Sequence, residues 1–203
     1  PVEYLTKVSR VYNETAIEVC SGQQMDMDFE KINYVTHTDY LRMIELKTAV
    51  LLAASLKIGA IIGGAEPEEA EKIYDFGRNM GLAFQIQDDL LDTYGDATQF
   101  GKKIGLDIVS NKKTILLLKA MELASGEQLK TLNEQMQTRD FDPEEKVSKV
   151  KAIYDELNVK SIVEEMASRY ITLAYSSLEE VGVEEQRKEE MKKLADYLLK
   201  RTK

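Results

Sequence analysis

The stretch GLAFQIQDDLLDTYGD, residues 81–96, places Asp88, Asp89 and Asp92 within five positions and surrounds them with apolar side chains. No Lys or Arg lies between Arg78 and Lys102 to pair with them locally. On a helix, Gly81, Gln85, Asp88 and Asp92 fall within an arc of roughly 60°, with Asp89 at its edge. Leu82, Ala83, Phe84, Ile86, Leu90 and Leu91 take most of the remaining circle. A helix that is apolar nearly all round is a buried one, so its acidic strip is expected to face an internal cavity. This stretch therefore predicts a chain built around a buried helix whose charge must be answered from inside the molecule.

Three penalties oppose carboxylates at that place. They repel one another at a spacing of four, they sit in the last turns of their helix where the macrodipole disfavours negative charge, and unpaired charge is expensive to bury. A divalent cation reverses all three. All-oxygen ligation that keeps waters and shares phosphate oxygens is the chemistry of Mg²⁺. The same letters also describe a solvated acidic helix end running into a loop. The DDxxD pattern alone leaves both readings open.

The rest of the chain supplies a helical frame. Helical periodicity runs through almost all of its 203 residues, and no stretch alternates with a period of two. It predicts helices over 2–22, 39–62 and 67–94, with Thr38 as N-cap of the second and Gly63-Gly64 as its stop. A polar stretch is expected over 25–38 and a loop over 95–111. Further helices are predicted over 112–124, 126–138, 143–156, 159–181 and 184–201. The fold class is all-α, in one domain without internal repeat or linker.

Composition excludes several function classes. Apolar residues at 43% and charged residues at 31% describe a globular chain with a core rather than a disordered one. The longest apolar run, residues 49–56, is far short of a membrane span, and no N-terminal segment has the regions of a signal peptide. The single cysteine, Cys20, precludes an internal disulfide, is expected to be a buried small side chain, and fits a reducing, cytoplasmic setting. A net charge of −9 argues against nucleic acid bound through a basic face. It also runs against an anionic ligand, unless local charge overrides the total.

Local charge of the opposite sign is found in two places. In DYLRMIELKTAVLLAASLKIG, residues 39–59, the helical wheel puts Lys47 among Tyr40, Met43, Ile44, Val50, Leu51 and Ala54. A lysine in the middle of an apolar face either snorkels to water or meets an anion; Thr48 beside it offers a hydroxyl. The second set lies in GKKIGLDIVSNKKTILLLKA, residues 101–120. Gly101 and Gly105 allow close approach to a ligand, Lys102 is a loop cation, and Lys112, Lys113 and Thr114 open the next helix, where free N–H groups favour phosphate. The spacing is not that of a Walker A loop. Carboxylates that hold Mg²⁺ and lysines that hold phosphate oxygens together describe a diphosphate site, and the metal reconciles an acidic protein with an anionic ligand.

With these residues in place, FQIQDDLLD resembles the second aspartate-rich motif of the trans-isoprenyl diphosphate synthases, or polyprenyl synthetases. The resemblance extends to GQQMD at 22–26, to Lys47-Thr48, and to GKKIGLD followed by Lys112 and Thr114. It implies an isoprenoid-synthase-type helical bundle and a head-to-tail prenyltransferase of the farnesyl or geranylgeranyl diphosphate synthase type. Such an enzyme condenses an allylic diphosphate with isopentenyl diphosphate by Mg²⁺-assisted ionisation, carbocation capture and proton loss. Carried over residue by residue, Asp88, Asp89 and Asp92 hold metal, Asp88 foremost. Lys47, Lys102 and Lys112 act on the allylic diphosphate, with Thr48 and Gln85 contacting it or its metal cluster. Gln23 and Asp26 support the cavity floor, and Asp107 holds the loop. The family further implies a homodimer.

The family's first aspartate-rich motif, the arginines after it and the upstream isopentenyl diphosphate residues have no counterpart here. Residues 1–203 are therefore expected to be the C-terminal portion of one prenyltransferase domain, with the N-terminal helices missing, half a metal site and no turnover alone. Product chain length is not legible. The alternative of another class is a non-catalytic helical partner subunit, and a terpene cyclase is disfavoured by its different second metal motif. His37 reads as a surface loop histidine, and the methionines and tyrosines as core.

Overall fold

The computed structural model describes residues 2–32, 34–96 and 104–200. Among these every regular element is helical: α1 (Val2–Phe29), α2 (His37–Ile44), a π-helical turn (Glu45–Ala49), α3 (Val50–Ile62), α4 (Pro67–Tyr94), α5 (Leu106–Val109), α6 (Ile115–Leu123), α7 (Gly126–Gln137), α8 (Pro143–Glu156), α9 (Val159–Glu179) and α10 (Glu185–Lys200). None is long and apolar enough to cross a membrane.

Helix α4 is the axis of the bundle. Pro67 opens it at a position that needs no N–H donor. Its small residues then let it lie close to α3, while α9 packs along it more extensively than any other element does. The larger core joins Ile86 and Leu82 of α4 to Ile115 and Leu116 of α6, Tyr154 of α8 and Val163 of α9. A smaller cluster joins Phe76 and Met80 of α4 to Ala174 and Leu178 of α9 and Ala195 of α10. The charged C-terminal helix is thereby anchored by a narrow apolar side.

Three departures from the periodicity have physical reasons. Helix α1 does not stop at Gly22 but continues to Phe29, whose ring is buried in the larger core. The glycine is a packing device rather than a stop, because a Cβ there would lie 2.3 Å from Lys47 N. The helix predicted over 39–62 is interrupted by the π turn, in which Val50 N donates to Glu45 O. An extra residue per turn rotates the downstream helix by about 100° relative to the upstream register. Within the loop expected over 95–111, Gly105 at φ +79° caps the short helix α5. Cys20, expected to be buried, is exposed.

The cap of α2 is Thr36, not Thr38. Thr36 Oγ1 accepts from Asp39 N at 3.0 Å, and Thr36 N donates to Asp39 Oδ2 at 3.0 Å. Asp39 can reach back to the cap only from the third helical position, which selects Thr36. Thr36→Ala is expected to lower the unfolding free energy by about 1 kcal/mol, read from urea titrations followed by circular dichroism. An unchanged midpoint contradicts the cap.

Candidate functional site

The acidic end of α4 divides its three aspartates between two tasks. Asp88 is exposed. Asp92, one turn on, is partly exposed; its Oδ2 accepts from Asp107 N at 2.9 Å, and its carbonyl accepts from Gly105 N at 2.6 Å. Asp89 is 1% exposed. Its Oδ2 accepts from Tyr40 OH at 2.5 Å and from Ile115 N at 3.2 Å. Its Oδ1 is buried without a hydrogen-bond partner, 3.9 Å from Lys112 Nζ.

This arrangement sets Asp89 apart from Asp88 and Asp92. Asp89 ties α2, α4 and the start of α6 together from inside. The N-terminus of α6, expected to be a phosphate seat, is occupied by this internal carboxylate, whose charge suits the positive end of the helix. Burial still dominates its acidity: desolvation pushes the Asp89 pKa up to about 7, against the pull of Lys112 and the Tyr40 hydroxyl. Burial also raises the pKa of Asp92, with the bond from Asp107 N opposing it. Asp88 and Asp92 remain as accessible oxygen donors on one side of α4.

The π turn presents the first cationic group. Lys47 Nζ donates to Asp26 Oδ2 at 2.6 Å, and Thr48 Oγ1 donates to Gln85 Oε1 at 3.3 Å. So the apolar-face lysine does meet an anion, supplied by α1. An ammonium has three donors, and Asp26 engages one of them. Two close backbone approaches hold this turn. Gly22 of α1 sits against Leu46 and Lys47, and a Cβ on Gly81 of α4 would lie 2.6 Å from Ala49 Cα. Gln23 lies exposed on α1 beside this pair.

The second group comes from the segment between α5 and α6. Lys112 Nζ donates to Asp107 Oδ2 at 3.2 Å. Burial lowers the Lys112 pKa, but Asp89 and Asp107 outweigh it and the net shift is upward, so the side chain is a cation. Lys113 Nζ donates to Phe29 O at 2.5 Å, which ties the start of α6 to the end of α1. Thr114 caps α6, its hydroxyl accepting from Leu117 N. Lys102 lies outside the described residues.

Among the described residues no three His, Cys, Asp or Glu side chains converge as a ready-made metal cage. The donors that are present still fit one kind of ion. Two carboxylates one helical turn apart suit a hard divalent cation that fills its other positions with water or phosphate oxygens.

Three contributors are not singled out by the letters. Tyr40 reads as core, and its ring is, but its hydroxyl serves Asp89. Lys146 and Asn111 bond each other behind the site. A signal exists for Lys146, which falls on the stripe of Val150, Ile153 and Tyr154 that α8 buries. His37, expected to lie free at the surface, has Nδ1 3.3 Å from Glu122 Oε2.

Comparisons with known proteins find one family. The family model described as polyprenyl synthetase matches residues 2–157. A short chain isoprenyl diphosphate synthase of Methanothermobacter thermautotrophicus is 35% identical over 199 residues, covering 98% of this chain and 60% of its own length. A geranylgeranyl diphosphate synthase of Sulfolobus acidocaldarius is 33% identical over 204 residues, covering 100% of this chain and 61% of its own. Among solved structures, a geranylgeranyl pyrophosphate synthetase from Pyrococcus horikoshii superposes with a TM-score of 0.87 at 31% identity, over 98% of this chain and 59% of that one. The chain thus spans about 60% of the length of the curated relatives it matches.

Proposed function

The chain belongs to the polyprenyl synthetase family, and on that premise we propose that it forms the C-terminal, diphosphate-holding portion of a head-to-tail prenyltransferase. The reaction class is condensation of an allylic diphosphate with isopentenyl diphosphate. The allylic C–O bond breaks with its electrons going to diphosphate, the double bond of isopentenyl diphosphate attacks the allylic carbon, and the resulting cation gives a proton to the released diphosphate. The product is of farnesyl or geranylgeranyl type, and of these two geranylgeranyl is the one in the relatives' names. A homodimer is proposed with it.

One observation carries the reading: Lys112 stands against the acidic end of α4, 3.9 Å from Asp89 and bonded to Asp107, whose N–H reaches Asp92, while the π turn brings Thr48 onto Gln85 one turn earlier. Among the described residues Lys47 bonds only Asp26, and Lys112 stands over Asp107. Both can donate to diphosphate oxygens, and charge-assisted bonds of this kind are roughly twice as strong as neutral ones. Thr48 and Gln85 orient the ligand beside them. Asp88 and Asp92 would hold Mg²⁺, which would supply charge neutralisation to the leaving diphosphate. The apolar flanks of α3 and α4 keep water from the reacting carbon. The exposed Val2, Leu5, Tyr12 and Ile17 of α1 offer a larger helical domain a surface to pack on.

Calorimetric titration of residues 1–203 with inorganic pyrophosphate tests the site directly. Binding is expected in the presence of Mg²⁺ and not in EDTA. Asp88→Ala and Lys112→Ala are each expected to weaken it about tenfold or more. Binding that ignores Mg²⁺, or variants indistinguishable from wild type, removes the site from this end of α4.

A further inference from the structure

Lys146 is 1% exposed, in the first half of α8, and among the described residues no carboxylate pairs with it. Its ammonium donates to Asn111 Oδ1 at 2.5 Å and lies 4.2 Å from the ring centroid of Phe141. A methionine or leucine would fill this place on the apolar stripe without the desolvation that a buried cation incurs. What the lysine adds is a charge-assisted bond to one residue of another element.

That residue occupies a critical point. Asn111 stands at φ +58°, between α5 and Lys112, and its Nδ2 donates to Met136 O at 3.2 Å. The next residue of α8, Val147, meets the other end of the same segment, where a Cβ on Gly105 would lie 2.7 Å from Val147 Cγ2. Lys146 and Val147 thus grip segment 105–111 at its two ends. Between the grips lies Asp107, whose N–H reaches Asp92 and whose carboxylate meets Lys112. Directly after them, Lys112 N donates to Asp107 O at 2.9 Å.

We propose that Lys146, through Asn111, is a positioning residue that sets Lys112 and Asp107 against the acidic end of α4 for diphosphate binding. The proposal rests on the diphosphate reading of this site. Lys146 itself touches no ligand. It fixes the backbone from which Lys112 projects, by its bond to Asn111 one residue before.

Two variants cut the tether from opposite ends: Lys146→Met keeps side-chain length, and Asn111→Gly keeps the positive φ accessible. Each is expected to speed hydrogen exchange of the Asp107 and Lys112 amides about tenfold, while the amides of Val163 and Ala167 in α9 keep their rates. Each is also expected to weaken binding of inorganic pyrophosphate with Mg²⁺ about tenfold, and the double variant no more than either single one. A lysine with a merely structural role would loosen α9 equally and leave the affinity of the folded chain unchanged; either result overturns the proposal. If Lys146→Met does not fold, Asn111→Gly decides alone. Failure of the wild-type chain to bind pyrophosphate sinks the diphosphate reading and the ligand role of Lys146 with it, while the exchange rates still report whether the tether holds the segment.

Discussion

Asp89→Asn is expected to stabilise the folded chain by roughly 4 kcal/mol at pH 8 in metal-free buffer, with the gain vanishing near pH 4. The carboxyl of Asp89 is buried, and desolvation raises its pKa from an ordinary 3.8 to about 7. The native state therefore binds this proton more tightly than the unfolded chain does. Its contribution is fully present below the unfolded value and is lost as pH rises through the folded one. Asparagine keeps an oxygen to accept from Tyr40 OH and Ile115 N, and it has no charge to desolvate. Urea unfolding of both proteins at a series of pH values measures the difference. Wild-type stability should fall between about pH 4 and pH 8 relative to the variant. Parallel profiles, or a variant weaker at pH 8, contradict the assignment of Asp89 as an internal and costly carboxylate.

Gly81→Val is expected to destabilise the fold by about 3 kcal/mol or more, whereas Gly59→Ala should stabilise it by up to about 1 kcal/mol. Both glycines lie inside helices, so intrinsic propensity alone predicts a gain from each change. The surroundings give the two changes opposite signs. A Cβ at position 81 would lie 2.6 Å from Ala49 Cα and 2.8 Å from Ala49 Cβ, contacts with backbone and first side-chain atoms that cannot rotate away. At position 59 nothing lies within 4 Å. Thermal unfolding of the two variants beside wild type checks the pair. The affinity of any folded Gly81→Val for pyrophosphate and Mg²⁺ should fall too, because Ala49 closes the π turn that carries Lys47 and Thr48. A Gly81→Val protein as stable as wild type removes the argument that α4 clamps this turn.

Much of the fold was legible because helical periodicity is a local signal. Helix α8 begins and ends where its pattern does, since Asp142-Pro143 marks the start in chemical terms that no neighbour changes. Where α1 ends was not legible. Gly22 and Gly81 carry the same letter as a helix stop, and only the helix facing each shows that it is a contact. The site was legible to a similar depth. Thr48 reaches Gln85 of α4, and Lys112 with Asp107 stands against the end of α4 that carries Asp88 and Asp92. The different fate of Asp89 depends on Tyr40, 49 positions away, and on Ile115 N, 26 positions away. No pattern within α4 reports either.

The sequence by itself determined that this chain is all-α, that α4 is buried with an acidic strip near its C-terminal end, and that lysines placed elsewhere must answer that strip. These conclusions come from spacing and charge, which act over a few residues and survive any arrangement of the helices. Tertiary structure alone decided which carboxylates remain accessible, how the π turn aims Lys47 and Thr48, and that a buried lysine on α8 grips the segment before Lys112. Each of these depends on contacts between residues far apart in the chain. Burial and desolvation there set what a given aspartate or lysine can do.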